Sequence, residues 1–208
     1  MAKILFINGS PHEKGCTYTA LNEVAQELLR LGVESEFLWL GTGPVQDCIG
    51  CGSCRAAGKC VFGDDAVNST ISRMKEFDGI VVGSPVYYAG ASGRLCSFLD
   101  RLFYSGKAQF EGKIGAAVVN CRRGGATAAF ERLNFYFSIA NMIIPGSQYW
   151  NQTHGFTPED VMKDEEGLQT MRSLAVNIAW LLNSAEAGRK SGIPAPAYEK
   201  DCKTTNFI

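Results

Sequence analysis

Residues 3–17 read KILFINGSPHEKGCT, a short apolar run followed by a loop of small and polar residues. The apolar run, Lys3–Ile7, shows no polar alternation, which is typical of a parallel strand that is covered on both faces. Apolar residues then recur at helical spacing between Thr17 and Leu31, and Gly32 ends this predicted helix. The stretch therefore predicts a strand, a loop and a helix in succession, with the loop opening onto the N-terminus of the helix.

The same alternation of strand and helix continues along the chain. Further strands are predicted at Glu34–Leu40, Gly79–Gly83, Ile114–Asn120 and Met142–Pro145. Further helices are predicted from Asp65 to about Phe77 and at Gly93–Tyr104, Ala126–Ile139 and Gly167–Ala187. Because a right-handed crossover between parallel strands needs a helix to return the chain, this order predicts a parallel sheet. We expect one α/β domain over residues 1–208, with a doubly wound five-stranded sheet in three layers, a cysteine-rich insertion at 41–62 and a tail at 193–208.

The composition restricts the kind of protein. With 208 residues and 46% hydrophobic side chains, the chain can bury one core. Its 20 basic and 21 acidic residues give a net charge of -1, without the basic surplus that is typical of nucleic-acid-binding proteins. No apolar run approaches the ~20 residues that span a bilayer, and the N-terminus does not resemble a secretion signal. We expect a cytoplasmic protein without nucleic-acid or membrane partners, whose cysteines are not paired in structural disulfides.

In a doubly wound sheet, ligands bind beyond the carboxyl ends of the strands, which here are followed by loops 8–17, 41–62, 84–92, 120–126 and 146–155. The first loop (residues 8–17) is rich in glycine and hydroxyl groups and opens onto a helix N-terminus, where free N–H groups and the helix dipole attract a phosphate dianion. It contains neither Gly-x-Gly-x-x-Gly nor a P-loop pattern, which disfavours a dinucleotide fold and an ATPase. Candidate ligands are Ser10, His12, Gly15, Cys16, Thr17 and Thr19, with Lys14 as a further charge. The alternative is an ordinary polar turn, with Thr17 as the helix cap.

The loops after the third and fourth predicted strands contain the residue types that hold a planar ring. An isoalloxazine ring needs apolar or aromatic flanks and backbone N–H groups near its polar edge. Candidates are Pro85, Val86, Tyr87, Tyr88, Ala89 and Gly90 in one loop and Asn120, Arg122, Arg123 and Gly124 in the other. The alternatives are core or interface packing for the two tyrosines and an ordinary solvated pair for the two arginines.

Four cysteines in the insertion form the strongest chemical pattern of the sequence. Cys48, Cys51 and Cys54 are each separated by two residues, and Cys60 follows six positions later. Three thiolates at this spacing can bind three corners of a [4Fe–4S] cluster, and a fourth closes the site. The small residues between them allow the chain to curl. Three alternatives stay open: a zinc site, although zinc prefers two well-separated Cys-x-x-Cys pairs; a redox dithiol, which needs only two of the cysteines; and four free thiols.

Together, these loops resemble the NAD(P)H-dependent FMN reductases of the flavodoxin-like superfamily, and more closely its iron–sulfur flavoproteins. The likeness, which runs from residue 1 to about 150, is carried by the cysteine loop and by Gly9-Ser10-Pro11, Gly15, Thr17, Gly83–Tyr88, Ser92–Arg101 and Arg122–Gly125. It implies a flavodoxin-like sheet, an FMN with its phosphate on the first loop and its ring against residues such as those at 85–90, and a cluster on the four cysteines. It also implies a homodimer or homotetramer with the active site at a subunit contact. One departure is that His12 and Cys16 stand where the family commonly has Arg and Asn.

The resemblance implies an FMN-dependent oxidoreductase, which takes electrons from NAD(P)H or a reduced ferredoxin and passes them to a small-molecule or protein acceptor, with the cluster as a one-electron relay. We assign no catalytic side chain, because hydride and electron transfer at N5 are chemistry of the flavin itself. Two histidines are too few for a triad or a multi-histidine metal site. Asp64-Asp65 is interpreted as a helix cap and Asp100-Arg101 as an ion pair. Two alternatives stay open: an electron-carrier flavoprotein without turnover of its own, and a zinc-stapled binding module.

Overall fold

The computed structural model describes residues 1–63, 65–199, 203 and 205. Within these residues, the strands are β1 (Lys3–Asn8), β2 (Glu34–Trp39), β3 (Gly79–Tyr87), β4 (Gly90–Ala91), β5 (Ile114–Cys121) and β6 (Gln152–His154). The helices are α1 (Cys16–Arg30), α2 (Cys54–Ala57), α3 (Ala66–Arg73), α4 (Gly93–Gly106), α5 (Ala126–Ile139), α6 (Pro158–Val161) and α7 (Glu165–Lys190). Short 3-10 turns follow α3 at Met74–Glu76 and α4 at Lys107–Gln109. The described part of the tail, from residue 193, contains neither helix nor strand, and none of the helices above is long and apolar enough to cross a bilayer.

The sheet has the order β2-β1-β3-β5-β6 with these five strands parallel, and the two-residue strand β4 pairs antiparallel with β3. Counted among the parallel strands alone, this is the 2-1-3-4-5 order of flavodoxin-like folds. The order reverses between β1 and β3, so the switch point at which such folds bind ligands lies at the carboxyl ends of these two strands. The predicted fold, a doubly wound five-stranded parallel sheet, is confirmed.

The side chains of β1 explain why this strand shows no polar alternation. Ile4 and Phe6 are buried in a core against α1 and α7, whereas Leu5 and Ile7 are buried in a second core against α3, α4 and α5. Side chains alternate across a strand, so a central strand between two helical layers must be apolar on both faces. The result is the predicted three-layer arrangement, with one core on each side of the sheet.

The fifth parallel strand is not at Met142–Pro145, where the apolar run predicted it. That run makes only an isolated bridge to the first residue of β5. The strand is instead β6, whose three polar residues pair with the last three residues of β5. The Asn120 side chain supports this pairing, since its Nδ2 donates to the carbonyl and hydroxyl oxygens of Thr153 at 3.1 and 3.0 Å. A short edge strand of this kind is held by hydrogen bonds, and its sequence shows no apolar pattern by which it could be predicted.

Asp100 and Arg101 do not form the predicted ion pair, because consecutive residues of a helix do not face each other. Arg101 is buried, and its Nη2 lies 2.5 Å from Oδ2 of Asp65. Asp100 accepts a hydrogen bond from the Tyr136 hydroxyl of α5 instead. Asp65 is the N-cap of α3, as predicted, and its side chain accepts hydrogen bonds from two backbone N–H groups. Asp64, the other residue of the predicted cap, lies outside the described residues.

Candidate functional site

The loops at the carboxyl ends of β1, β3, β5 and β6 surround a crevice with a volume of about 300 Å³. It is lined by Ser10, His12, Cys16, Thr17, Pro85, Val86, Tyr87, Asn120, Cys121, Arg122, Gly155 and Phe156. Nine of these residues belong to the predicted cofactor set, and they come from three segments that are far apart in the sequence. The crevice lies at the switch point of the sheet, where a ligand is expected.

The first loop is fixed by its own hydrogen bonds and by α4. The Asn8 side chain accepts a hydrogen bond from the N–H of Ser10 at 3.0 Å. The carbonyl of Gly9 accepts one from the hydroxyl of Ser92, the N-cap of α4, at 2.7 Å. Gly9 packs so closely on α4 that an added Cβ would lie 2.7 Å from the Cβ of Leu95. The loop is therefore held in one conformation by its surroundings.

Helix α1 begins at this loop without a side-chain cap. Its N-cap is Gly15, so the N–H groups of Cys16, Thr17 and Tyr18 have no partner within the helix. Such groups form an anion site, because the helix dipole adds a partial positive charge. Thr17 is not the cap of the helix; it is buried and lines the crevice. The Thr19 hydroxyl is engaged within the helix, where it donates to the carbonyl of Gly15 at 3.2 Å.

The opposite wall of the crevice is the hairpin of β3 and β4. Residues 85–87 line the crevice, and Tyr88 and Ala89 form the turn with φ values of +49° and +60°. Two positive φ values are typical of a type I′ hairpin turn, in which residues other than Gly and Asn carry a steric cost. A Cβ added at Gly125 would lie 2.9 Å from the Cα of Ala89, so this turn packs directly on the loop after β5. Seven predicted cofactor residues do not line the crevice: Gly15, Thr19, Tyr88, Ala89, Gly90, Arg123 and Gly124.

Cys16 and Cys121 line the crevice as neutral thiols. Burial raises the pKa of both thiols, and nearby carboxylates, Asp160 for Cys16 and Asp164 for Cys121, raise it further. A thiol with a raised pKa is a poor nucleophile at neutral pH. We therefore assign neither cysteine a covalent role.

The cysteines of the insertion line one small cavity between their loop and α4. They are Cys48, Cys51, Cys54 and Cys60, and all four are free. The cavity has a volume of about 20 Å³, and α4 contributes Arg101 and Tyr104 to its wall. Gly50 and Gly52 have φ values of +64° and +71°, which allow the loop to curl between the cysteines. Within the described residues, no three His, Cys, Asp or Glu side chains converge on a position for a single metal ion.

The cysteines differ in how firmly they are held. Cys51 is exposed, and hydrogen bonds from the side chain and the backbone of Ser53 lower the pKa of its thiol. Cys60 is fixed on α3 by Asn68: the N–H of Cys60 donates to Oδ1 at 2.8 Å, and Nδ2 donates to the carbonyl of Cys60 at 3.0 Å. One end of the cysteine set is therefore anchored, while the middle faces solvent.

Residues 2–157 match the family described as NADPH-dependent FMN reductase. The chain belongs to this family. An iron-sulfur flavoprotein of Methanocaldococcus jannaschii is 35% identical over 186 residues, which cover 85% of this chain and 95% of the relative. An iron-sulfur flavoprotein of Archaeoglobus fulgidus is 31% identical over 184 residues, which cover 85% of this chain and 90% of that protein. The structure of a flavodoxin from the domain Archaea shares the fold, with a TM-score of 0.59 at 16% identity over 87% of this chain and 99% of that structure.

Membership of the FMN reductase family supports FMN as the cofactor and a flavin-dependent oxidoreductase activity. The predicted family is confirmed. The crevice suits this cofactor, because it combines an anion site at the start of α1 with an apolar and aromatic wall on the hairpin.

Three lining residues of this FMN reductase family member were not predicted: Cys121, Gly155 and Phe156. Gly155, the last residue of the predicted ligand loop 146–155, and Phe156 directly follow β6, and the wrong position of the fifth strand concealed that they come immediately after a strand. With β6 in place, a glycine and an aromatic residue immediately after a strand are the signal that identifies them. Cys121 is the last residue of β5 and lies between the predicted candidates Asn120 and Arg122. The side chain of His154, the last residue of β6, is 45% exposed, with Nδ1 3.7 Å from Oδ2 of Asp164.

Proposed function

We propose that this chain is an FMN-dependent oxidoreductase that accepts electrons from NAD(P)H or a reduced ferredoxin and passes them to a small-molecule or protein acceptor. A [4Fe–4S] cluster on Cys48, Cys51, Cys54 and Cys60 is the proposed second redox centre. The observation that carries the proposal is the crevice, in which an uncapped helix N-terminus and an apolar hairpin meet at the switch point of the sheet. The relatives named iron-sulfur flavoprotein support the second centre.

The start of α1 is the proposed position of the FMN phosphate. The N–H groups of Cys16, Thr17 and Tyr18 are available to a phosphate, and the helix dipole favours its negative charge. Thr17 lines the crevice and adds a hydroxyl donor. His12 also lines it, at a position where the family commonly has arginine, so most of the binding energy must come from the backbone and the hydroxyl groups.

The hairpin is the proposed support of the isoalloxazine ring. When bound, FMN supplies the hydride and one-electron chemistry of the reaction. The chain's own residues bind and orient it: residues 85–87 form the wall of the crevice, and Phe156 and Arg122 lie at its edge. The positive charge of Arg122 favours the more negative reduced ring. The neutral thiols of Cys16 and Cys121 do not compete as nucleophiles.

The donor set of the cysteine loop suits a cubane better than a single zinc ion. A cubane binds each thiolate at a different iron, so the four sulfurs need not converge on one position, whereas zinc requires a tight tetrahedron. The cavity of about 20 Å³ is little larger than the space of one water, so the exposed part of the loop must move away from α4 to admit a cluster. The bound cluster would supply one-electron transfer.

We also propose that the chain forms a homodimer or homotetramer in the cytoplasm. Tyr104, Phe135 and Ile139 are large apolar side chains that are exposed on α4 and α5 beside the cysteine loop. A second copy that covers them would remove apolar surface from water. The free cysteines of the described residues fit a reducing compartment.

Anaerobic purification with FMN, iron and sulfide measured per chain tests both centres. We expect about one FMN and about four irons per chain. Bleaching of the flavin by NADH or NADPH alone supports a reductase, whereas bleaching only by reduced ferredoxin identifies an electron carrier. A colourless protein that contains zinc identifies the binding-module alternative. A protein that binds no FMN at saturating concentration contradicts the proposal.

A further inference from the structure

The largest fully buried side chain of the described residues is a charged one, Arg101 of α4, which is 1% exposed. Its Nη2 lies 2.5 Å from Oδ2 of Asp65, in a close ion pair. A buried cation is costly unless opposite charges and hydrogen bonds compensate it. The Asp65 side chain is 33% exposed and is one such charge. A thiolate at Cys60, whose sulfur accepts from Nε of Arg101, would be a second such charge.

The guanidinium of Arg101 contacts both ends of the cysteine loop. Nε donates to Sγ of Cys60 at 3.2 Å, and Nη1 donates to the carbonyl of Gln46 at 3.3 Å. The guanidinium carbon also lies 5.0 Å from the centre of the Phe62 ring. Arg101 thus holds the chain before the first cysteine of the set and after the last one.

Cys60 is held through its thiol and its backbone at the same time. Arg101 binds the sulfur, and Asn68 binds both the N–H and the carbonyl group of the same residue. Cys51, by contrast, is exposed to solvent. Cys54 makes one contact to α4, in which its Sγ donates to the carbonyl of Tyr104 at 3.7 Å, whereas Cys60 is held through both its sulfur and its backbone.

We propose that Arg101 is a positioning residue that holds Cys60 as the first ligand of the cluster and raises the reduction potential of that cluster. This inference rests on the proposed function, since it requires the cluster. A ligand cysteine is a thiolate, so the contact between Arg101 and Cys60 becomes a charge-assisted hydrogen bond. Reduction adds one electron and no proton to the site. The added negative charge is stabilised by a nearby cation and by hydrogen bonds to sulfur, two of the factors that set cluster potentials.

The test compares Arg101→Gln with a matched control on the same helix. Arg94 of α4 also binds the insertion, through the carbonyls of Gly43 and Thr42 at 2.7 and 2.5 Å, but these are not cysteine groups. Each anaerobically reconstituted protein is titrated with dithionite at controlled potential, and cluster reduction is followed by electron paramagnetic resonance. For Arg101→Gln we expect an equilibrium constant for reduction about tenfold smaller, a shift of about 59 mV for one electron. Arg94→Gln should keep the wild-type potential, and all proteins should keep equal FMN per chain.

Asp65→Asn should shift the reduction potential of the cluster in the opposite direction. Asparagine remains a good N-cap for α3, but it removes the carboxylate that offsets the charge of Arg101. We therefore expect a higher potential than in the wild type. Arg101→Gln also tests the anchoring role, because reconstitution should leave less iron per chain than in Arg94→Gln.

Two results overturn the inference alone, and a third overturns it together with the proposed cluster. Wild-type potentials in both Arg101→Gln and Asp65→Asn, with the cluster bound, overturn it while the proposed function stands. If Arg101→Gln does not retain enough cluster to titrate, Asp65→Asn decides, and an unchanged or lower potential in that variant overturns it. A reconstituted wild-type protein without iron is a different result, because it overturns the proposed cluster itself and the inference with it.

Discussion

The first loop and the cysteine loop each carry a proposed cofactor, yet they are built in opposite ways. The first loop is packed on α4, where the Ser92 hydroxyl binds the carbonyl of Gly9, and Ser10 is buried. The cysteine loop is exposed over much of its length and turns at positive-φ glycines with open space around them. Arg94 and Arg101 of α4 hold parts of it.

The difference follows from what each loop has to bind. A phosphate is bound by backbone N–H groups, which must already be in position, because the ligand cannot rearrange a strand and a helix. A metal cluster is bound by thiolates, and metal binding can itself order the ligands around it. The FMN site should therefore be independent of the cluster, while the conformation of the cysteine loop should depend on it.

Removal of one cysteine should affect the cluster site and leave the FMN site unchanged. Cys51→Ala removes an exposed thiol and should abolish most of the iron content, while FMN per chain stays at the wild-type value. Cys96→Ala is the matched control, because Cys96 lies on α4 and does not line the cavity of the other four. Iron and FMN are measured in the anaerobically purified proteins. Unchanged iron in Cys51→Ala contradicts the ligand assignment, and loss of FMN contradicts the independence of the two sites.

Replacement of a glycine by alanine should destabilise the protein in the packed first loop and have little effect in the open cysteine loop. In Gly9→Ala the new Cβ would lie 2.7 Å from the Cβ of Leu95, so we expect a loss of about 1–3 kcal/mol in unfolding free energy and weaker FMN binding. Gly43→Ala is the control in the cysteine loop, where an added Cβ meets nothing within 4 Å, and should change stability by less than about 0.5 kcal/mol. Urea unfolding measures the stability of the two variants, and FMN titration measures their affinity for the cofactor. Equal effects of the two exchanges would show that the first loop is not rigid.

The fold was predictable where buried strands leave a hydrophobic signal. β5 is buried at every residue, and its apolar run placed it correctly. β6 was missed because its three polar residues are held by backbone pairing and by Asn120, while the apolar run at Met142–Pro145 joins the sheet only through an isolated bridge at Ile143. Periodicity detects burial, and it cannot detect a strand that is defined by its hydrogen bonds alone.

The site was predictable to the extent that its residues lie near strand ends in the sequence. Ser10, Thr17 and residues 85–87 could be identified because glycine, hydroxyl and aromatic residues follow predicted strands. The contact of Arg101 with Cys60 joins a helix to a loop 41 positions away, and no local pattern reports such a contact. The sequence instead suggested a pair between Arg101 and its neighbour Asp100, which the geometry of a helix excludes.

A smaller effect tests the phosphate site by itself. Thr17→Val retains the shape of the buried side chain and removes one hydroxyl donor, so we expect a Kd for FMN about tenfold higher, about 1.4 kcal/mol. Thr19→Val is the control, because the Thr19 hydroxyl binds the carbonyl of Gly15 inside the helix. FMN fluorescence titration of both variants measures the difference. A larger effect in Thr19→Val than in Thr17→Val would place the phosphate elsewhere, and iron content should not change in either variant.

The smallest expected effect concerns the framework that supports the cysteine loop. Hydrogen bonds from Arg73 of α3 and then from Lys3 lower the pKa of Glu36 on β2 to about 2, and α3 also carries Asn68, the anchor of Cys60. Because the pKa in the folded protein lies below that of the unfolded chain, the stabilisation is fully present above about pH 4.5 and is lost as the pH falls towards 2.

Glu36→Gln should therefore lower the unfolding free energy by about 1 kcal/mol at pH 7, a value reduced by the partial exposure of the pair, and the difference from the wild type should disappear near pH 2. Urea unfolding of the two FMN-free proteins at several pH values measures it. Glu27→Gln, in a pair with the exposed Arg30 on α1, should change stability by less than about 0.5 kcal/mol. A difference for Glu36→Gln that persists at the lowest pH would mean that the side chain acts by packing rather than by its charge.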